Sequence, residues 1–145
     1  MSEKLYLCGM NTTHVQKSLV ENACAAAQAG KKVLVNISNH PSSSWSSAQQ
    51  DGWDCIYDIP FPSIPADWDT KNVQDLVACY GETLCALPKQ VVICLQGEYT
   101  FTLLLGQFLK ERGYTLAIPT TNRIAETLPD GRQVTQFVFT RWRII

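Results

Sequence analysis

Three short apolar runs constrain this chain more than any other feature. Val33–Ile37, Val91–Leu95 and Tyr114–Ile118 are each the length of one β-strand, and stretches with helical spacing stand between them. An earlier strand is expected over Lys4–Cys8, turned by Gly9–Thr13 into a helix that ends near Ala29, with Asn11, Thr12 or Thr13 as its cap. Within that helix Val15, Leu19, Val20, Ala23 and Ala27 share a face, and Gly30 stops it. The alternation predicts an α/β fold: a Rossmann-like, mainly parallel sheet with flanking helices.

Finer punctuation fits that frame. Lys32–Ile37 reads as a strand buried on both faces. A short helix is expected over Ser44–Asp51, capped by Ser43 or Ser44, followed by a brief strand at Asp54–Tyr57. The three prolines of Asp58–Pro65 exclude regular structure and predict a stiff, extended crossing segment. A helix over Thr70–Ala86, capped by Asp67 or Asp69, precedes a strand over Gln90–Leu95; a second helix runs from Thr100 to Arg112 and ends at Gly113. The period then becomes two. Ile124–Leu128 and Gln133–Arg141 flank Pro129-Asp130-Gly131-Arg132, a strong hairpin signal. One domain over residues 1–145 is expected, with βα units to residue 118 and a β-hairpin extension over 119–145 that attaches antiparallel, extends an edge or reaches a partner subunit.

Composition narrows the function. A chain of 145 residues with 46% hydrophobic and 17% charged residues buries a normal core. A net charge of −1 argues against a broad basic surface for long nucleic acid, while leaving room for a small basic pocket. The Met1–Lys4 start does not read as a signal peptide, and no apolar run approaches the roughly 20 residues of a membrane span; a cytoplasmic protein is expected. The six cysteines form no CxxC pair and carry no histidine spacing. Cys8, Cys55 and Cys94 read as strand residues and Cys24, Cys79 and Cys85 as helix-face residues, so neither a metal site nor a disulfide framework is expected.

Function is expected where the strands end. In open parallel sheets ligands bind along the edge formed by the strands' carboxyl ends. Three polar turns fall there. Asn39, His40, Pro41, Ser42, Ser43, Ser44 and Trp45 follow the first apolar run. Their hydroxyls and backbone N–H groups suit an anion, and His40 is a candidate acid, base or hydrogen-bond donor; a capped turn with an ordinary surface histidine is the bland alternative. Gln96, Gly97, Glu98, Tyr99 and Thr100 lead from a strand into a helix. Gly97 allows a close approach, and Glu98 either complements the helix dipole or bonds a ribose hydroxyl. The turn is neither GxGxxG nor a phosphate loop with GK[ST]. Thr120, Thr121, Asn122 and Arg123 place a guanidinium beyond the last parallel strand, suited to a phosphate or simply solvated. His14 reads as a surface residue, Asp58 and Asp67 as turn and cap residues, and Arg141–Trp142–Arg143 as an ordinary edge strand, with stacking on a base as the alternative.

At this point a family resemblance emerges. Asn39, His40, Pro41, Trp45 and Gln49, then Asp58-Ile59-Pro60-Phe61-Pro62, then Gly97-Glu98 ahead of a helix, then Thr121-Asn122-Arg123 ahead of a hairpin, resemble small bacterial proteins linked to type III CRISPR systems. The resemblance spans residues 33–143. Gln96–Gly106 looks like the strand–turn–helix that lines the pocket of CRISPR-associated Rossmann-like (CARF) domains, although their paired-glycine, lysine-bearing turn is absent. The resemblance implies a homodimer that binds a cyclic oligoadenylate and, as in small single-domain members, cleaves it without metal or cofactor. His40, Arg123 and Glu98 would then be the candidate catalytic groups, and the flanking turn residues would hold the ligand. A non-catalytic sensor, a nucleoside enzyme using Glu98 in N-glycosidic chemistry, and a protein-interaction module are the competing readings.

Overall fold

The computed structural model describes residues 13–145, with side chains from Gln16 onward. The expected first strand, its cap, Cys8 and the side chain of His14 lie outside the described residues. The elements are helix α1 (Thr13–Gln28), strand β1 (Val33–Ser38), a 3-10 turn (Ser42–Ser44), short helix α2 (Ser47–Gln50), strand β2 (Cys55–Asp58), helix α3 (Thr70–Leu84), strand β3 (Val92–Gln96), helix α4 (Tyr99–Glu111) and strands β4 (Thr115–Thr127) and β5 (Gln133–Ile144). They form a mixed α/β fold around one five-stranded sheet of order β2-β1-β3-β4-β5. β1 pairs in parallel with β2 and β3, β3 pairs in parallel with β4, and β5 closes the far edge antiparallel to β4. The sheet is therefore mixed, not simply parallel.

The two faces of the sheet are covered differently. Val33, Val35, Ile37, Ile93, Leu95 and Leu116 point to one face, where α1, α3 and α4 pack over them. The alternate residues Leu34, Cys94 and Ala117 point to the other and meet Trp45, with Trp53 and Trp142 packed alongside. The long helices thus lie on one face instead of flanking the sheet. Strand order gives the reason. β2 and β3 lie on opposite sides of β1, so right-handed crossovers send the β1–β2 connection to one face and the α3 crossover to the other. The β1–β2 connection has only a 3-10 turn and a four-residue helix, and its tryptophans supply the missing apolar cover.

Several boundaries have local causes. Asp69 caps α3 in a reciprocal box with Asn72. Ser46, one turn later than the expected serines, caps α2. The largest departure is β4. Thr120–Arg123, expected as a turn, continues the strand, so the expected strands at Tyr114 and Ile124 are one thirteen-residue element. Pairing with β3 ends at Ala117. Pro119 has no N–H for a ladder on that side, so β4 parts from β3 there and keeps only β5 as a neighbour. The ribbon then projects beyond the sheet, with a register shift between Thr120 and Thr121. At its tip Gly131 has φ +83° and Asp130 accepts from the Arg132 backbone, as the Asp-Gly signal predicts.

No helix among the described residues is long and apolar enough to cross a membrane. The described cysteines are all free, and no cluster of metal-binding side chains occurs among the described residues.

Candidate functional site: a cleft over the end of β1

The chain leaves β1 toward the tryptophan face and leaves β2 toward the helical face. A cleft of 540 Å³ opens between the two connections, over the end of β1. One wall is Ser38, Asn39 and Pro41; the other is the Ile59–Ser63 strap, with Asn36 and Asp58 lining the cleft below. The strap is held firmly. The Ile59 N–H donates to the Asn36 carbonyl at 2.9 Å, and the Tyr80 hydroxyl donates to the Pro60 carbonyl at 3.0 Å. Phe61 packs edge-on to Phe101 at 5.4 Å. A Cβ on Gly97 would lie 2.3 Å from the Phe61 ring. Gly97 therefore does permit a close approach, and the group that approaches is the chain's own Phe61.

Asp58 organises the opposite wall. It is the register partner of Asn36 on the neighbouring strand, so the two side chains share a face. Asn36 Nδ2 donates to Asp58 Oδ1 at 2.7 Å. The Ser42 N–H donates to both carboxylate oxygens at 3.1 and 3.2 Å, and Ser42 Oγ donates to Oδ2 at 2.7 Å. The serine-rich turn thus already holds an anion, supplied by the protein itself. Ser44 Oγ donates to the Pro41 carbonyl, and Ser43 is exposed. The expected phosphate cradle at Ser42–Ser44 is in this way turned inward.

A second hub is the His40 carbonyl, which accepts from Asn36 Nδ2, Ser38 Oγ and Trp45 Nε1 at 3.0, 3.0 and 3.1 Å. Those bonds fix the backbone and leave the His40 side chain exposed. Trp45, expected at the ligand, is instead buried in the tryptophan cluster, 5.5 Å from Trp142. Cys94, the register partner of Asn36 on β3, is fully buried; burial, and then the nearby Asp58 charge, push its thiol up to about 12. It is a packing residue and not a nucleophile.

The other expected site residues fall elsewhere on the edge. The Asn39 N–H donates to the Gln96 carbonyl at 3.3 Å, joining the first two turns. Glu98 is the N-cap of α4: its carboxylate accepts from the Phe101 N–H at 2.8 Å, which holds it below the usual carboxylate range. Tyr99 and Thr100 are exposed on the first turn of that helix. Thr120 Oγ1 donates to the Arg141 carbonyl, while Thr121, Asn122 and Arg123 are exposed on the projecting ribbon. Arg123 opposes Phe137, six residues past the last contact of β4 with β3, or roughly 20 Å along the strand. No hydrogen bond or ion pair joins any two of His40, Glu98 and Arg123 among the described residues. Of the expected ligand residues only Asn39 lines the cleft.

Asn36, Asp58 and Phe61 were missed as site residues. A signal was present, because a polar residue inside an apolar run, as Asn36 is, requires a buried partner. Residues 32–143 match the MJ1673 family, described as an uncharacterized protein family. This chain belongs to that family. No curated protein and no solved structure matches it. The matched stretch of this MJ1673-family chain contains the whole sheet up to Arg143, the cleft and the projecting ribbon.

Proposed function

We propose that this MJ1673-family protein is a Rossmann-like receptor for a cyclic oligoadenylate, bound at the carboxyl edge of its sheet across a homodimer. The observation that carries the reading is the cleft over β1, formed where neighbouring strand connections leave to opposite faces, which is where open α/β sheets bind nucleotides. The resemblance of its Asn39-His40-Pro41 turn and Asp58–Pro62 strap to the CRISPR-linked proteins supplies the ligand class. A cyclic ligand with two-fold symmetry suits an isologous pair of subunits. The β4–β5 ribbon is the proposed pairing surface, since Phe137 is exposed on one of its faces and Ile124, Val134 and Val138 on the other and a two-stranded ribbon by itself is marginal in water.

Cleavage would need no metal. The ribose 2′-oxygen attacks the adjacent phosphorus, O5′ leaves with the proton, and the products carry a 2′,3′-cyclic phosphate and a 5′-hydroxyl. In-line positioning supplies most of the rate, with His40 moving the proton and Arg123 facing the phosphate charge. Binding without turnover is the second reading. It is favoured by the separation of His40, Glu98 and Arg123 onto three separate segments of the chain and by the capping role of Glu98. The deciding experiment is incubation of the purified protein with radiolabelled cyclic tri-, tetra- and hexa-adenylate, followed by chromatography and native electrophoresis. Linear products without added metal, reduced at least tenfold in His40→Ala and Arg123→Ala, support the nuclease. A shifted, intact ring identifies a receptor, and neither shift nor cleavage removes the proposal.

A further inference from the structure

We infer that the cleft over β1 is a subsite for an uncharged, flat ring carrying a hydrogen-bond donor, an amino-substituted heterocycle of the nucleobase kind, and that it is not a phosphate pocket. The inference rests on the reading of this edge as the ligand site and adds which part of the ligand enters.

Three observations converge. The first is charge. Among the described residues no lysine, arginine or histidine lines the cleft, and Asp58 is the single charged residue that does. Both Asp58 oxygens are engaged by Asn36 and Ser42. A phosphate placed there would meet a carboxylate and no counter-charge.

The second is Asn36. Asn36 is among the residues that line the cleft and is only 1% exposed. Nδ2 donates to two acceptors, the His40 carbonyl and Asp58, and only an NH₂ group can do so; the amide orientation is thereby fixed. The other atom, Oδ1, is a buried acceptor with no partner among the described residues. Buried acceptors are normally paired, and an unpaired one raises the question of what completes it. A ligand N–H or O–H would.

The third is the wall. Pro41, Pro60, Pro62 and the Phe61 ring give the cleft apolar sides, and its volume falls within the range of small-molecule sites. Phe61 is set before any ligand arrives, because the Gly97 backbone and the Phe101 ring fix its place. A preset aromatic ring in the wall favours a flat, apolar partner. Phosphates attached to such a ring would stay outside the cleft, toward the exposed His40.

The test is a titration of the full chain with four probes: adenosine, purine riboside (the same nucleoside without its amino group), ribose 5-phosphate and inorganic phosphate. It is read by calorimetry and by amide chemical shifts of Asn36, Asn39 and Phe61. Saturable adenosine binding is expected, with purine riboside at least tenfold weaker and no shift from either phosphate probe. Phe61→Ala, and Phe61→Leu in case the alanine variant misfolds, should weaken adenosine at least tenfold while the circular dichroism spectrum is kept. Equal affinity for adenosine and purine riboside, or shifts from phosphate alone, would overturn the inference. So would an adenosine-soaked crystal with only an ordered water on Asn36. Cyclic oligoadenylate binding that is indifferent to Phe61→Leu would remove this subsite and keep the proposed function. Adenosine seated in the cleft without binding of any cyclic oligoadenylate would do the reverse.

Discussion

The end of β1 and the distal half of the β4–β5 ribbon both carry chain past the body of the sheet, and the chain treats them in opposite ways. At β1 the turn is folded back on itself. Asp58 and the His40 carbonyl gather donors from Asn36, Ser38, Ser42 and Trp45. On the ribbon, residues 121–127 and 133–138 are exposed, apolar side chains among them, and strand pairing is the main tie. The first region spends its polar groups on itself and leaves one acceptor over. The second leaves its side chains outward. A preorganised site belongs on the first kind of structure and an association surface on the second.

Removing Asp58 would break this contrast most directly. Asp58→Ala leaves one proton of the Asn36 amide, the Ser42 N–H and the Ser42 hydroxyl without their acceptor in a part-buried setting, while the Asn36 bond to the His40 carbonyl remains. With about 1–3 kcal/mol for each stranded donor, a loss of roughly 3 kcal/mol is expected, or about 10 °C in Tm for a chain of this size. Chemical denaturation checks it, and a loss under 1 kcal/mol would mean that the turn is held by something else. The matching change on the ribbon, Asn122→Ala, should fall within about 0.5 kcal/mol of the parent, as exposed substitutions do.

The Gly97–Phe61 contact sharpens the same region. A methyl at Gly97 would overlap the Phe61 ring, so Gly97→Ala must displace that ring from the cleft wall. A loss of about 2 kcal/mol is expected from the forced repacking. In a Phe61→Ala background the same change should cost nearly nothing, because the obstructing atoms are gone. A double-mutant cycle measures the coupling, and additive effects would contradict the packing described.

How far the sequence revealed all this follows the same divide. Local signals were readable: the continuous apolar run of β1, the Asp69 cap, the extended proline segment and the Asp-Gly tip all stand where local chemistry puts them. Features that depend on which strands become neighbours were not. Asp58 read as a turn residue because its value lies in its register with Asn36, 22 residues away, and pairing partners are not written in either run. Thr120–Arg123 read as a turn because Pro119 normally interrupts strands. The missing N–H faces the β3 side, so it ends that pairing and costs no ladder bond with β5, and the strand continues. Trp45 read as ligand-facing because its role as cover for one sheet face appears only once the helices are known to share the other.

Glu98 gives a smaller, pH-resolved effect at the neighbouring turn. Its folded carboxyl is held below the ordinary value of 4.5, chiefly by the Phe101 N–H. A depressed value contributes stability that is fully present above the ordinary value and is lost as pH falls through the folded one. Glu98→Gln keeps an acceptor but not the charge. The parent should therefore exceed the variant by about 0.5–1 kcal/mol at neutral pH, the low end for an N-cap, and the gap should close below pH 4.5. A gap independent of pH would assign the effect to shape instead of charge.

The ribbon predicts the smallest effect on folding and a separate effect on assembly. Phe137 is 68% exposed and opposes Arg123. In a lone chain Phe137→Asp removes little buried surface, so unfolding at micromolar concentration or below should move by no more than about 0.5 kcal/mol. Between two copies paired through their ribbons, the same change buries an unpaired carboxylate and should raise the dimer dissociation constant at least tenfold. Sedimentation velocity across a concentration series separates the two. A dimer that the parent forms and Phe137→Asp loses, at unchanged monomer stability, assigns the ribbon to self-association. A dimer that survives the substitution moves the interface off this face, and with it the two-fold axis on which a shared cyclic ligand would sit.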